Sequence, residues 1–70
     1  MYILHASSPP AGSQNWTVYA GERYFGTLFG LPAGPTPKAR MALAIALEFD
    51  ERVLKVVGNQ NIGYDIWTAA

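Results

Sequence analysis

The sequence contains no cysteine and few charged residues. Its 70 residues include five Lys and Arg, five Asp and Glu and one His, so the formal net charge is zero. The absence of cysteine excludes disulfide frameworks, cysteine-based zinc sites and thiol catalysis. The small, balanced charge argues against a basic nucleic-acid-binding protein, because neutralising phosphates requires clustered Lys and Arg. Since half of the residues are hydrophobic, the composition favours a folded chain over a disordered one.

Long hydrophobic runs are also missing. The longest apolar run, Met41 to Leu47, is far shorter than the ~20 residues of a membrane-spanning helix. The N-terminus has neither the basic region nor the long apolar region of a signal peptide. We therefore expect a complete short reading frame that begins at Met1 and encodes a cytoplasmic protein without membrane association.

Two segments rich in β-branched and aromatic residues, 16–20 and 23–29, predict a β-hairpin. Only Gly21 and Glu22 separate them, and glycine at the first central position is typical of a type II′ turn. This turn sets the expected register, which pairs Ala20 with Arg23, Tyr19 with Tyr24, Val18 with Phe25 and Thr17 with Gly26.

One helix is predicted from about residue 37 to 50. Thr36 is the expected N-cap, and Pro37 suits the first helical position. Helical spacing places five residues on one stripe, which we expect to face the sheet. These residues are Ala39, Ala42, Leu43, Ala46 and Phe49.

Three further strands are predicted at about residues 2–6, 52–57 and 62–68. The resulting order, β-β-β-α-β-β, predicts an α+β fold in one domain. We expect a small two-layer sandwich, in which a largely antiparallel sheet carries the helix on one face.

Alternation along the strands divides the predicted sheet into an inner face under the helix and an outer face. The inner face is expected to carry Trp16, Val18, Phe25, Phe29, Leu54, Val56 and Ile66. The outer face is expected to carry Thr17, Tyr19, Tyr24, Leu28, Val53, Lys55, Val57, Asp65 and Trp67. A solvated sheet face is normally polar, whereas aromatic residues with few charges are typical of interface cores.

No residue pattern predicts catalysis or metal binding. His5 is the only histidine, and a general base or metal ligand there would need a partner that the sequence does not identify. Neither an HExxH motif nor a calcium-loop spacing is present. We therefore expect no catalytic residue, no cofactor and no metal ion.

The glycine-containing loop that begins at Gly30 leads into the helix, where Lys38 and Arg40 follow in the first turn. This arrangement has the general form of an anion site. Its spacing differs from that of the known phosphate-binding loops, and Pro35 and Pro37 remove two N–H donors. We interpret the segment as a stiff connector.

The outer face leads to the prediction of a non-enzymatic module that binds a larger protein or protein complex and blocks it sterically, as a small inhibitor or adaptor. The expected contact residues are Tyr19, Tyr24, Lys55, Trp67, Arg23 and Thr17. In size and predicted architecture the chain resembles small phage-encoded inhibitors of host defence complexes, including anti-CRISPR proteins. This resemblance extends to build and not to sequence motifs.

Two alternative functions use the same face. In one, its aromatic residues stack on the bases of a single-stranded nucleic acid. The segment 23–29 distantly resembles an RNP1 motif, although Tyr24 occupies the position of the motif's glycine. In the other, the face is buried against a second copy of the chain in a homo-oligomeric structural subunit.

Overall fold

Five strands and one helix follow one another in the order β-β-β-α-β-β in a computed structural model that describes residues 1–69. The strands are β1 (Tyr2–Ser7), β2 (Trp16–Ala20), β3 (Arg23–Leu28), β4 (Arg52–Asn59) and β5 (Gly63–Ala69), and the helix is α1 (Lys38–Phe49). All neighbouring strands are antiparallel, and they form one sheet in the order β3-β2-β1-β5-β4. The predicted α+β sandwich is confirmed.

The β2–β3 hairpin has the predicted turn but not the whole predicted register. Gly21 has a φ of +64°, whereas Glu22 is not among the residues with positive φ, which distinguishes a type II′ turn from type I′. Tyr19 pairs with Tyr24 as expected, but a β-bulge follows and Val18 pairs with Gly26. The predicted pairings of Val18 with Phe25 and of Thr17 with Gly26 are therefore wrong, because Phe25 is the additional residue.

This bulge changes which side chains of β3 face the helix. Leu28 pairs with Trp16 and is buried, although alternation from the turn placed it on the outer face. Phe29, which was expected in the core, lies beyond the end of the strand and is 74% exposed. Both predictions are wrong because one additional residue inverts the alternation that follows it.

A second bulge has the same effect in β4. Val53 pairs with Thr68 and Lys55 with Trp67, so Leu54 is the additional residue. Val53 packs against the core, and Leu54 is half exposed. The prediction of Val53 on the outer face is therefore wrong, and Leu54, which was expected in the core, is instead half exposed on the side of the helix.

The helix begins without the predicted cap. Pro37 is the N-cap residue, in an extended conformation and without a side-chain hydrogen bond to the helix. The Thr36 hydroxyl donates instead to the carbonyl of Pro32, so the prediction of Thr36 as N-cap is wrong. At the other end Asp50 has a left-handed conformation, with a φ of +53°, which ends the helix.

The buried side of α1 differs from the predicted stripe. Met41 and Ile45 are fully buried, and Phe49 packs against the core one turn later. Leu43 and Ala39 are exposed, so their assignment to the sheet-facing stripe is wrong. The bulkiest residues of the helix thus point to the sheet, and two leucines, Leu43 and Leu47, point away from it.

The core is closed at one end by the loop between β3 and α1. Trp16 is fully buried, and its indole N–H donates a 2.7 Å hydrogen bond to the carbonyl of Leu31. The Trp16 ring also packs against Tyr64, whose hydroxyl donates to the carbonyl of Thr36. Among residues 1–69 the buried hydrophobic residues are Leu4, Ala6, Trp16, Val18, Leu28, Leu31, Met41, Ile45, Tyr64 and Ile66.

The turn between β4 and β5 is built by one asparagine and two glycines. The Asn59 side-chain oxygen accepts hydrogen bonds from the N–H groups of Asn61 and Ile62. Gly58 and Gly63 both have positive φ, at +116° and +88°. These residues extend β4 to Asn59, two residues beyond its predicted end.

Candidate functional site

The face of the sheet opposite α1 is not covered by any element of residues 1–69, and we call it the open face. One row of side chains crosses all five strands, and its members are Tyr24, Tyr19, His5, Asp65 and Val57. Two shorter rows flank it, one made of Ile3, Trp67 and Lys55 and the other of Thr27, Thr17 and Ser7. These eleven residues define the open face.

Two tyrosines form one end of the central row. Tyr19 and Tyr24 are directly paired across β2 and β3, and Tyr24 is 64% exposed. The Tyr24 hydroxyl lies 2.7 Å from the hydroxyl of Thr27. Alternation alone would place residues three positions apart on opposite faces, so the bulge at Phe25 brings this pair together.

His5 and Asp65 occupy the centre of the row. They are cross-strand neighbours, and His5 Nδ1 donates a 2.7 Å hydrogen bond to Asp65 Oδ1. The two side chains are 42% and 48% exposed. The imidazole packs closely against Gly63. A Cβ added to this glycine would lie 3.0 Å from the ring. The hydrogen bond leaves Nε2 as the ring nitrogen free to bind a partner.

Lys55 and Trp67 form the other side of the face. They are paired across β4 and β5, and Lys55 Nζ lies 5.2 Å from the centre of the Trp67 ring. This distance is within the range of a cation–π interaction. The lysine therefore has an attractive neighbour on the face itself.

The structure places five of the six predicted contact residues on the open face. They are Thr17, Tyr19, Tyr24, Lys55 and Trp67. Arg23 instead pairs with Ala20, which lies in the row that faces the helix side. Its predicted contribution to this surface is therefore not supported by the register.

Sequence reasoning missed two prominent members of the open face, Ile3 and His5. Their alternation with Leu4 and Ala6, which are buried, gives both residues their outward direction. Their neighbours depend on the pairing of β1 with β5, which joins opposite ends of the chain. The local pattern could have indicated the face of each residue, but not its contact.

The two edges of the sheet are less suited to binding. β3 and β4 are the edge strands, and each contains a bulge where it pairs with its neighbour. Bulges twist an edge and interrupt its row of free backbone groups, which disfavours the addition of another strand. The face of the sheet is thus a more regular surface than its edges.

A groove of about 290 Å³ lies on the other layer, between α1 and β4. Its lining residues are Lys38, Ala39, Ala42, Val53, Leu54, Lys55 and Val56. The groove is shallow, and its lining is aliphatic apart from Lys38 and Lys55, of which Lys55 also belongs to the open face. It offers a ligand few directed polar contacts, which small-molecule sites normally provide.

The titratable side chains of the open face are His5 and Asp65 at its centre and Tyr19, Tyr24 and Lys55 around them. Within residues 1–69, no three His, Asp and Glu side chains are grouped as metal ligands. His5 and Asp65 could orient a proton, but the side-chain hydrogen bonds of the described residues give His5 no partner besides Asp65. A hydrolytic site would also need a nucleophile bonded to the histidine.

Comparison of the chain with protein-family models, curated proteins and solved structures gives no match. In the described part of the chain, α1 is too short to span a membrane.

Proposed function

We propose that this protein is a non-enzymatic interaction module that binds a larger protein with the open face of its sheet and acts sterically, as a small inhibitor or adaptor. The observation that carries the proposal is the continuous surface from the Tyr19–Tyr24 pair to the Lys55–Trp67 pair. It crosses all five strands and is not covered by the chain's own helix.

The composition of the surface supports a protein partner. Tyrosine, tryptophan and aliphatic side chains are enriched at interface cores, where charged residues are depleted. The charged groups of the open face already have neighbours, since Asp65 accepts a hydrogen bond from His5 and Lys55 lies over Trp67. Burying groups that keep such contacts is less unfavourable than burying isolated charges.

The dimensions of the surface fit a specific interface. A standard protein interface buries roughly 800 Å² on each partner, which is about a fifth of this protein's 4321 Å² of accessible surface. Five strands spaced ~4.8 Å apart give a face about 24 Å wide. The open face can therefore form the centre of an interface of ordinary size, and residues at its rim would complete the buried area.

Charge favours a protein over a nucleic acid as the partner. Lys55 is the only Lys or Arg among the eleven residues of the open face, and it already lies over Trp67. Binding of single-stranded nucleic acid normally combines stacking with a positively charged groove. The open face has the aromatic component but little of the electrostatic one.

The proposal is tested by affinity capture from a nuclease-treated lysate of the source organism, followed by binding measurements with the purified partner. Three forms of the protein are compared: the wild type, a face variant with Tyr24→Ala and Trp67→Ala, and a control variant with Leu54→Ala and Ile62→Ala. The control removes two exposed apolar side chains, 50% and 70% accessible, that do not belong to the open face.

We expect the wild type and the control variant to bind the same protein, and the face variant to lose at least ~100-fold in affinity, because it loses one large aromatic contact on each side of the face. Far-UV circular dichroism should show that all three forms are folded. Equal binding by the face variant would overturn the proposal, and so would capture that disappears with nuclease.

A further inference from the structure

A second uncovered surface lies on the outer side of α1. Arg40, Leu43, Leu47 and Asp50 follow one another with the spacing i, i+3, i+7 and i+10, which keeps them along one side of a helix. Leu43 is 59% exposed and Leu47 is 75% exposed, and both charged residues are exposed as well. We call these four residues the helix stripe.

The order of residues in the helix stripe is self-complementary. Arg40 and Leu43 form the first half of the stripe, and Leu47 and Asp50 form the second half. The two leucines each lie two residues from Ile45 in the sequence, and the two charged residues each lie five residues from it. When two such helices lie antiparallel about a two-fold axis at the level of Ile45, Leu43 of each copy faces Leu47 of the other. Arg40 of each copy then faces Asp50 of the other.

The charges at the helix ends are unfavourable within a single chain. The first turn contains Lys38 and Arg40 and no acidic residue, and the last turn has no basic residue. The helix macrodipole favours the opposite arrangement, with acidic residues at the N-terminus and basic residues at the C-terminus. In residues 1–69 neither Arg40 nor Asp50 forms an ion pair.

We propose that the helix stripe binds the helix stripe of a second copy of this chain, in an antiparallel, two-fold symmetric dimer. The pairing buries four leucines and aligns the two helix dipoles antiparallel. It also gives each unfavourable terminal charge an opposite charge on the other copy. A two-fold interface is closed, so association stops at the dimer.

The expected dimer is weak. A helix of 12 residues is about 18 Å long, and its outer side is too small for the ~1,200 Å² or more that stable interfaces bury. We therefore expect dimerisation only at high protein concentration. Because the helix stripe and the open face lie on opposite layers, the dimer would present two open faces outward. Such an arrangement allows bivalent binding, which can raise the apparent affinity well above that of one face.

The dimer is tested by sedimentation velocity over a concentration series from micromolar to millimolar protein, at low salt. The wild type should shift from monomer to dimer across the series. The variant Leu43→Ala, Leu47→Ala should stay monomeric, and the open-face variant Tyr24→Ala, Trp67→Ala should dimerise like the wild type. All substituted side chains of the helix stripe are exposed, so folding is not affected.

Charge reversal gives a sharper test of the antiparallel geometry. Arg40→Glu alone and Asp50→Lys alone should each abolish the dimer, because each homodimer then contains two like-charge contacts. An equimolar mixture of the two variants should recover dimer, since a mixed dimer places the introduced glutamate of one chain opposite the introduced lysine of the other and keeps one native pair. Replacing Arg40 with glutamate should also raise the melting temperature of the monomer through the helix dipole.

The proposal is overturned if the wild type stays monomeric throughout the series, or if the Leu43→Ala, Leu47→Ala variant still dimerises. It is also overturned if only the open-face variant loses the dimer, which would place the self-association on the sheet. Failure of the mixture to restore the dimer would contradict the antiparallel pairing. Self-association through the sheet would support the alternative in which the open face is buried against a second copy. The other outcomes leave the proposed binding of a larger protein unaffected, because that binding is measured on the monomer at low concentration.

Discussion

His5 Nδ1 donates a 2.7 Å hydrogen bond to Asp65 Oδ1 at the centre of the open face. The two side chains are almost half exposed, and even exposed pairs of opposite charge contribute only about 0–1 kcal/mol to folding. We therefore expect His5→Ala, Asp65→Ala and the double variant to differ from the wild type by less than ~1 kcal/mol in free energy of unfolding. A double-mutant cycle in urea checks this expectation.

The same pair is expected to matter for binding. Once a partner covers the open face, removing Asp65 leaves the His5 N–H without its acceptor in a dry interface, where an unpaired polar group costs about 1–3 kcal/mol. Asp65→Ala should thus weaken partner binding about tenfold or more, with little change in stability. A coupling of several kcal/mol in the urea experiment, with unchanged binding, would instead make the pair part of the folding core.

Tyr2 provides a prediction at high pH. Its hydroxyl donates a hydrogen bond to the Glu51 carboxylate, and this bond, together with burial, raises the pKa of Tyr2 above its ordinary value of 10.0. The folded state then retains the phenolic proton to a higher pH than the unfolded state does. The stabilising contribution is present below about pH 10 and is lost as the pH rises through the pKa of folded Tyr2.

Melting temperatures measured between about pH 9 and about pH 11 test this effect. The wild type should lose stability more steeply over this range than Tyr2→Phe, which has no proton to release at this position. Glu51→Gln should reduce the slope as well, because an amide does not repel the phenolate. Parallel pH profiles for the wild type and Tyr2→Phe would contradict the assignment.

The hairpin and the element order were predictable because their signals are local. Gly21 and Glu22 lie between two segments rich in β-branched and aromatic residues, and a turn of this type needs positive φ at only one residue. The bulge at Phe25 has only a weak local signal, which is Gly26 inside the predicted strand. Phe25 and Gly26 both pack against Phe49 of the helix. This contact joins distant parts of the chain, so the local sequence does not reveal it.

The rotation of the helix was not predictable for a related reason. The stripe that begins at Ala39 and the one that begins at Met41 are both apolar, share Phe49 and differ by a rotation of roughly 100° about the helix axis. The requirement for a closely packed core selects the stripe that contains Met41 and Ile45, because these side chains fill more volume than alanines. The position of the open face followed from alternation, whereas its central contact, His5 with Asp65, required the pairing of the two ends of the chain.

Two glycines with positive φ allow backbone strain to be separated from steric overlap. At Gly30, with a φ of +70°, an added Cβ would meet no atom within 4 Å. At Gly58, with a φ of +116°, it would lie 2.2 Å from the carbonyl oxygen of Gly63. Both alanine variants carry strain of about 1–2 kcal/mol, but only Gly58→Ala forces the β4–β5 pair apart.

We expect Gly30→Ala to reduce the free energy of unfolding by about 1 kcal/mol. Gly58→Ala should reduce it by more than ~3 kcal/mol, which is comparable to the whole stability of a domain of this size. Urea denaturation measures the first variant, and the dispersion of an amide NMR spectrum shows whether the second is folded. Similar losses for the two variants would contradict the close backbone approach at Gly58.

The contact between Gly26 and Phe49 tests the bulge in β3. A Cβ on Gly26 would lie 2.3 Å from Cε1 and 2.8 Å from Cζ of Phe49, because the bulge turns Gly26 towards the helix. Gly26→Ala should therefore destabilise the protein by about 1–3 kcal/mol through overpacking. In a domain of this size, each kcal/mol corresponds to about 4–8 °C in melting temperature.

A shorter side chain at position 49 should relieve this overlap. Phe49→Leu removes the ring atoms that the new methyl group would meet, so Gly26→Ala should cost little in that background. The two substitutions should be non-additive by about 1 kcal/mol or more, as is usual for residues in direct contact. Additive losses would mean that Gly26 does not face Phe49. The predicted register without a bulge, in which Gly26 pairs with Thr17 on the outer face, would then be correct.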